Sequence, residues 1–161
     1  MVEVAPRDGL QNESMLLSTS SKLALIERAI NSGARRIEVA SFVNPDKVPQ
    51  MADAAEVAAG LPDRDDVTFV GLVLNERGAE RALATRLDQL GAVCLTTDSF
   101  AVANQGQTSA ESLDVAMRVM KMARAAGRSG QITIGASFGC PFEGEVASDH
   151  VGAMALRAAE A

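Results

Sequence analysis

Apolar runs and amphipathic stretches alternate along this chain, and that alternation limits its fold more than any other feature. Apolar, strand-like runs occur at about residues 2–5, 36–40, 67–74, 89–96 and 131–137. A helical pattern follows each run, such as the stripe of Leu23, Ile26, Ala29 and Ile30 that stops at Gly33. Because strands that alternate with helices build βα units, we predict a parallel sheet covered by helices.

The spacing of the units predicts an α/β fold of the (β/α)8 TIM-barrel type. Such a barrel typically needs ~250 residues, and the chain has 161, so we expect one partial barrel domain, residues 1–161, with about the first five βα units. The Ser18–Ser21 run offers N-caps for the first helix, and we read residues 97–108 as a long polar loop. A small, open, doubly wound sheet is the alternative fold.

Composition excludes several classes of protein. Hydrophobic residues make up 47% of the chain, which is not a disordered composition. The net charge is −6 without a basic tract, so we expect no nucleic-acid partner and no membrane partner. We see no signal peptide or membrane span, and the widely spaced Cys94 and Cys140 indicate reduced thiols of a cytoplasmic protein.

A dense set of polar side chains follows the first apolar run. Arg7 can clamp a carboxylate or an oxyanion through its planar fork, and Asp8 is a hard oxygen ligand suited to Mg²⁺ or Mn²⁺. Gly9 permits a sharp turn, and Gln11 supplies an amide. The alternative is an ordinary turn at Asp8-Gly9 with a solvated Arg7. The ends of parallel strands are where α/β proteins place chemistry, which favours a site here.

Glu38 stands in an otherwise mostly apolar strand. It either faces solvent or lies inside the sheet, where an ionised carboxylate needs a partner; Arg7 is then the obvious one. If all strands are parallel, their carboxyl ends share one edge. The polar and thiol side chains at or just past those ends are Arg7, Asp8, Gln11, Glu38, Ser41, Asn75, Asn104 and Cys140.

Three motifs together resemble one family. They are Arg-Asp-Gly-Leu-Gln-Asn-Glu at 7–13, Ser-Phe-Val-Asn-Pro at 41–45 with Val-Pro-Gln-Met at 48–51, and Gly-Cys-Pro-Phe-Glu-Gly at 139–144. The chain resembles the N-terminal part of the 3-hydroxy-3-methylglutaryl-CoA (HMG-CoA) lyases, within the pyruvate carboxyltransferase-like metallolyase barrels. The wider group, which includes the isopropylmalate and homocitrate synthases, shares Arg-Asp-Gly, whereas Leu10-Gln11-Asn12-Glu13 is similar to the lyase branch.

The resemblance implies a divalent-metal-dependent carbon–carbon lyase that cleaves HMG-CoA, or a related 3-hydroxyacyl-CoA, to acetoacetate and acetyl-CoA. It implies catalytic roles for Arg7 and Glu38, substrate contacts for Arg7, Gln11, Ser41 and Asn104, and Mg²⁺ or Mn²⁺ bound by Asp8. In this family a His-x-His pair and an Asn from later strands complete the metal site. The chain has one histidine, His150, so we expect it to have no appreciable lyase activity alone.

Two other functions remain open. One is a Claisen-condensation synthase of the isopropylmalate or homocitrate type. The other is a degenerate, non-catalytic protein that binds an acyl-CoA or another subunit, because Val102 and Ala103 stand where the family usually has basic residues before Asn104. Open sheet edges would favour homo-oligomerisation. We interpret Cys140 as a packed, inert thiol and His150 as structural or solvated.

Overall fold

The computed structural model describes residues 1–161 and contains one parallel sheet. Its strands are β1 (Arg36–Ser41), β2 (Thr68–Val73), β3 (Gln89–Leu95) and β4 (Ser129–Gly135). They lie in the order β1-β2-β3-β4, and each pairs in parallel with the strand next in sequence. A doubly wound sheet reverses its strand order at a switch point. The order here does not reverse, which confirms the barrel prediction.

The predicted first strand is wrong in extent. Only Glu3 pairs with the sheet, through a single parallel bridge to Ile37. The chain then winds into a π-helical turn over Ala5–Gly9, in which the Asp8 amide donates to the Val4 carbonyl at 2.7 Å. Pro6 explains the change, because proline has no amide hydrogen for a strand ladder. The sheet therefore has four strands, with a single bridge at Glu3 in place of the predicted first strand.

Six α-helices connect and cover the strands. They are α1 (Thr19–Asn31), α2 (Ala54–Ala59), α3 (Glu76–Leu83), α4 (Asp98–Gln105), α5 (Ser109–Ala125) and α6 (Ser148–Ala159), with a 3₁₀ turn at Pro49–Met51. None of them is both long and apolar enough to cross a membrane.

The predicted loop at 97–108 is largely helical, which corrects the sequence interpretation. Helix α4 fills most of it, and Gly106 ends the helix in the left-handed conformation at φ 72°. No glycine or proline interrupts residues 98–105. Polar side chains therefore did not prevent helix formation, and Asn104 lies on a helix rather than in a loop.

Side-chain caps fix where several helices begin. Ser18 accepts a hydrogen bond from the Ser21 amide at 3.2 Å, which confirms the predicted cap of α1. Thr108 and Glu111 form a capping box at the start of α5. Asn75 accepts from the Gly78 amide at 2.8 Å and caps α3. Asn75 therefore has a local structural contact at the carboxyl end of β2.

The two faces of the sheet differ in chemistry. One face packs against the helices and carries the apolar side chains of the core, including Ile37, Val39, Phe69, Leu90 and Cys94. Alternation along a strand sends the intervening side chains to the opposite face, which we call the inner face because it becomes the interior of a closed barrel. The polar side chains of the inner face include Arg36, Glu38, Gln89 and Gln131.

Candidate active site

Arg7 lies at the centre of the charged site beside β1. Its Nε donates to Glu38 Oε1, and its Nη1 donates to Asp8 Oδ1 at 2.7 Å. The side chains of Arg7 and Glu38 are 15% and 9% exposed, whereas that of Asp8 is 56% exposed. The predicted pairing of Arg7 with Glu38 is therefore present. The third nitrogen of the guanidinium, Nη2, has no protein partner.

Local backbone structure brings these two side chains together. The Glu3 amide donates to the Arg36 carbonyl at 2.9 Å, and the Glu38 amide donates to the Glu3 carbonyl at 2.9 Å. This bridge fixes residues 3–4 beside β1, and the π-helical turn that follows carries Arg7. Gly91 on β3 lies directly beside this carboxylate, since an added Cβ there would be in ordinary van der Waals contact with Glu38 Oε2, at 3.6 Å. The sheet thus holds a carboxylate on its inner face with an arginine as its counter-charge.

Asp8 is the one carboxylate of this site that is open to solvent. Its backbone carbonyl accepts a hydrogen bond from Asn12 Nδ2 at 2.7 Å, which closes the turn. A divalent cation prefers several oxygen ligands. No group of three or more His, Cys, Asp or Glu side chains with metal-binding geometry occurs in the structure. Asp8 fits the role of one ligand, and this chain alone does not form a complete metal site.

The other predicted substrate contacts do not touch Arg7. Ser41 at the end of β1 is completely buried, and its hydroxyl has no hydrogen-bond partner. Gln11 is half-buried, and its Oε1 is also without a partner. Asn104 is exposed near the end of α4. Contacts unite Arg7, Asp8 and Glu38, while Gln11 and Ser41 each carry an unsatisfied oxygen at the ends of the same elements.

A second polar cluster lies beyond β3 and β4, where sequence reasoning saw only an inert thiol. Thr97 Oγ1 donates to Cys140 Sγ at 3.0 Å, and the Phe142 amide approaches the same sulfur at 3.4 Å. Burial opposes ionisation of this thiol, but hydrogen bonds from Thr97 and from the 142 and 143 amides outweigh it, so the pKa of Cys140 lies below its usual value. In the sequence, only the Gly-Cys-Pro turn at 139–141 pointed to this cluster.

His150 belongs to this second cluster. Its Nε2 lies 2.9 Å from the Thr96 carbonyl oxygen, so the ring bridges the first turn of α6 to the end of β3. A cavity of about 440 Å³ beside it is lined partly by Asp98, Glu143 and Arg157. The structural role predicted for His150 agrees with this contact.

Comparison with known proteins identifies the fold family. The HMGL-like family profile matches residues 1–161. The chain belongs to the HMGL-like family. It is 41% identical to the (R)-citramalyl-CoA lyase of Chloroflexus aurantiacus, over 99% of this chain and 54% of that protein. It is 34% identical to the hydroxymethylglutaryl-CoA lyase YngG of Bacillus subtilis, over 92% of this chain and 50% of that protein.

Solved structures agree with this HMGL-like assignment. The HMG-CoA lyase of Brucella melitensis superposes with a TM-score of 0.93 at 36% identity, over 99% of this chain and 56% of that one. An HMG-CoA lyase from Acinetobacter baumannii, in complex with coenzyme A and 3-methylmalate, gives a TM-score of 0.93 at 32% identity, over 99% of this chain and 52% of that one. The HMGL-like chain spans about half the length of the relatives it matches. The predicted family and the partial barrel are confirmed.

Proposed function

We propose that this HMGL-like chain supplies the Arg7, Asp8 and Glu38 part of an acyl-CoA lyase site. The substrate is HMG-CoA or a related 3-hydroxyacyl-CoA, and HMG-CoA itself would yield acetoacetate and acetyl-CoA. One observation carries the proposal: Arg7 is held by two carboxylates with its Nη2 edge free. The names of the relatives, which are citramalyl-CoA and HMG-CoA lyases, support the same class of substrate.

Arg7 acts on the leaving group in this proposal. Loss of the 3-hydroxyl proton lets its oxygen form a carbonyl, the bond between carbons 2 and 3 breaks, and the electron pair passes to the acetyl-CoA fragment as an enolate. The enolate carries negative charge on its thioester oxygen until carbon 2 is protonated. A guanidinium held in advance of the reaction stabilises that developing charge without having to reorganise.

Glu38 positions Arg7, and a share in proton transfer is its further proposed role. Its Oε1 accepts from Arg7 Nε, so the guanidinium plane cannot rotate freely. Buried charged pairs of this kind fix geometry more than they add stability. We assign substrate contacts to Gln11 and Ser41 because each has an oxygen without a partner, and to Asn104 because it lies exposed on α4.

A divalent cation, Mg²⁺ or Mn²⁺, belongs to the proposal as a group that Asp8 would help to hold. When bound, such an ion lowers the pKa of a coordinated hydroxyl and orients the substrate. Asp8 is exposed, and only its Oδ1 is engaged, by Arg7. The remaining ligands are not among the residues of this chain that lie near Asp8.

Calorimetric titration with HMG-CoA tests the proposal on the 161-residue chain. We expect Mn²⁺ to raise acyl-CoA affinity, and Arg7→Lys to remove most of that gain because lysine has no planar fork. Arg77→Lys is the matched control, since Arg77 is exposed and makes no hydrogen bond to a side chain or ion pair. A turnover assay with both metals runs in parallel, and the 161-residue chain alone should show no appreciable cleavage.

A non-catalytic acyl-CoA-binding protein is the second candidate. Val102, which is 55% exposed, and Ala103 precede Asn104 on α4, so this surface has no cation for the CoA phosphates. In that case acyl-CoA would bind equally well with and without Mn²⁺. Absence of acyl-CoA binding under both conditions would reject both candidates.

A further inference from the structure

The inner face carries a second arginine that the proposed lyase site does not use. Arg36 on β1 reaches across β2 to both remaining strands. Its Nε donates to Gln89 Oε1 on β3 at 2.9 Å, and its Nη2 donates to the same oxygen and to Gln131 Oε1 on β4 at 2.6 Å. One guanidinium thus connects β1, β3 and β4, two positions before Glu38 along β1.

Arg36 has no negative partner. No carboxylate oxygen lies within 4.0 Å of it, and both of its side-chain acceptors are neutral amide oxygens. Glu38, two positions later on the same strand, is already paired with Arg7. A half-buried cation that faces only neutral oxygens is favourable only while water or an anion completes its shell.

Several hydrogen-bond donors at and around Arg36 have no acceptor within the protein. Arg36 Nη1 makes no hydrogen bond, and Gln89, which is 7% exposed, uses its Oε1 on Arg36, so its Nε2 points to no protein acceptor. Thr133 Oγ1 accepts from Gln131 Nε2 at 3.2 Å, which leaves its own proton to donate. The free Nη1 of a cation, flanked by amide and hydroxyl donors, can donate to the two oxygens of a carboxylate.

We propose that Arg36, Gln89, Gln131 and Thr133 form a carboxylate-binding site on the inner face, separate from the Arg7 site. The carboxylate has two sources with the same chemistry. It is either a free small carboxylate or the side chain of an Asp or Glu on a strand that adds beside β4. The sheet order ends at β4, so that edge of the sheet has no strand partner in this chain.

The first arm of the test uses free carboxylates. Acetate and malonate replace chloride at constant ionic strength, and the Arg36 Nε–H and the Gln89 and Gln131 side-chain NH₂ signals are followed by ¹H–¹⁵N NMR. We expect saturable shifts and a rise in the thermal midpoint, because a ligand that binds the folded state stabilises it. Arg36→Gln should weaken binding about tenfold or more, the usual effect of losing a charge-assisted hydrogen bond.

The second arm uses a strand peptide. A seven-residue peptide of alternating Val and Thr carries either Glu or Gln at its centre, and the same signals are followed. A response to the Glu peptide alone, at lower concentration than acetate, identifies a strand as the source. A response to acetate at equal or lower concentration identifies a free ion.

Arg35→Gln is the matched control, because it removes the same charge one residue away, where Arg35 is exposed and lies by Asp66. Shifts in this variant should equal those of the unchanged protein. The proposal is overturned if neither arm moves the Arg36 Nε–H signal, or if Arg36→Gln responds as strongly as Arg35→Gln. If Arg36→Gln does not fold, the Arg36 Nε–H response of the unchanged protein decides alone.

Discussion

At the carboxyl edge of the sheet, the region beside β1 and the region beside β3 and β4 are each stabilised by a different kind of interaction. On the β1 side, Arg7 pairs with Glu38, and the almost fully buried Lys22 of α1 pairs with Asp53 in front of α2. On the β3–β4 side there is no buried ion pair. Thr97 donates to Cys140, His150 lies beside the Thr96 carbonyl, and the carboxylates of Asp98 and Glu143 accept from backbone amides. The β1 side therefore depends on shielded ion pairs, whereas the β3–β4 side depends on single hydrogen bonds.

The difference teaches where each side is vulnerable. Removal of one partner of a buried charged pair leaves an uncompensated charge and lowers the free energy of unfolding by ~3–5 kcal/mol. Removal of a neutral donor typically changes stability by ~1 kcal/mol. The β3–β4 side is also more open, with Phe138 almost fully exposed and Phe142 mostly exposed. Substitutions on the β1 side should therefore have the larger effects on folding, and those on the β3–β4 side should change reactivity instead.

Glu38→Gln should give the largest effect. The substitution keeps the shape of the side chain but removes the counter-charge of Arg7. We expect a loss of roughly 3 kcal/mol in the free energy of unfolding, the low end of the range for buried pairs, because Arg7 is 15% exposed. Urea denaturation followed by circular dichroism measures it. Glu76→Gln is the matched control, because Glu76 pairs with Arg118 in solvent and its loss should stay within ~1 kcal/mol. Equal losses in the two variants would contradict the comparison.

Lys22→Met should give the next largest effect, about 2 kcal/mol, because Asp53 loses its partner. Burial alone would raise the pKa of Asp53, but hydrogen bonds from Lys22 and Thr19 hold it below 3.8.

The same pair predicts a dependence on pH. Since the pKa is depressed in the folded chain, the stabilisation is present above the unfolded value of about 3.8 and is lost as the pH falls through the lower folded value. Stability measured between pH 5 and pH 2.5 should therefore fall less in Lys22→Met than in the unchanged protein. An equal fall in stability in the two proteins over this pH range would show that the Lys22–Asp53 pair does not cause the pH dependence.

Thr97→Val should have the smallest effect on stability, about 1 kcal/mol, and a clear effect on the Cys140 thiol. Without the hydroxyl donor, the pKa of Cys140 should rise, and its alkylation by iodoacetamide should shift to higher pH. Cys94 is the internal control, because burial raises its pKa to about 11 and it should stay unreactive in both proteins. Peptide mass mapping separates the two sites. An unchanged pH profile at Cys140 would show that the Thr97 hydrogen bond does not lower the pKa of this thiol.

The outcomes for individual residues explain what sequence reasoning could reach. The Arg7–Glu38 pair was predictable because a carboxylate inside an apolar strand requires a nearby cation, and few cations were available. The role of Cys140 was not predictable, because its donor Thr97 lies 43 positions away. The extent of the first strand was misjudged because Pro6 and the π-helical turn outweighed the apolar pattern.

Local patterns in the sequence determined the alternation of strands and helices, the caps at Ser18 and Thr108, and the gathering of polar residues at one edge. These depend on spacing over a few residues, which any chain with this order would reproduce. Only the tertiary structure decided that Arg36 finds amide oxygens instead of a carboxylate, and that Thr97 meets Cys140. Such contacts depend on the register between β1, β3 and β4, which is set by packing across the whole sheet.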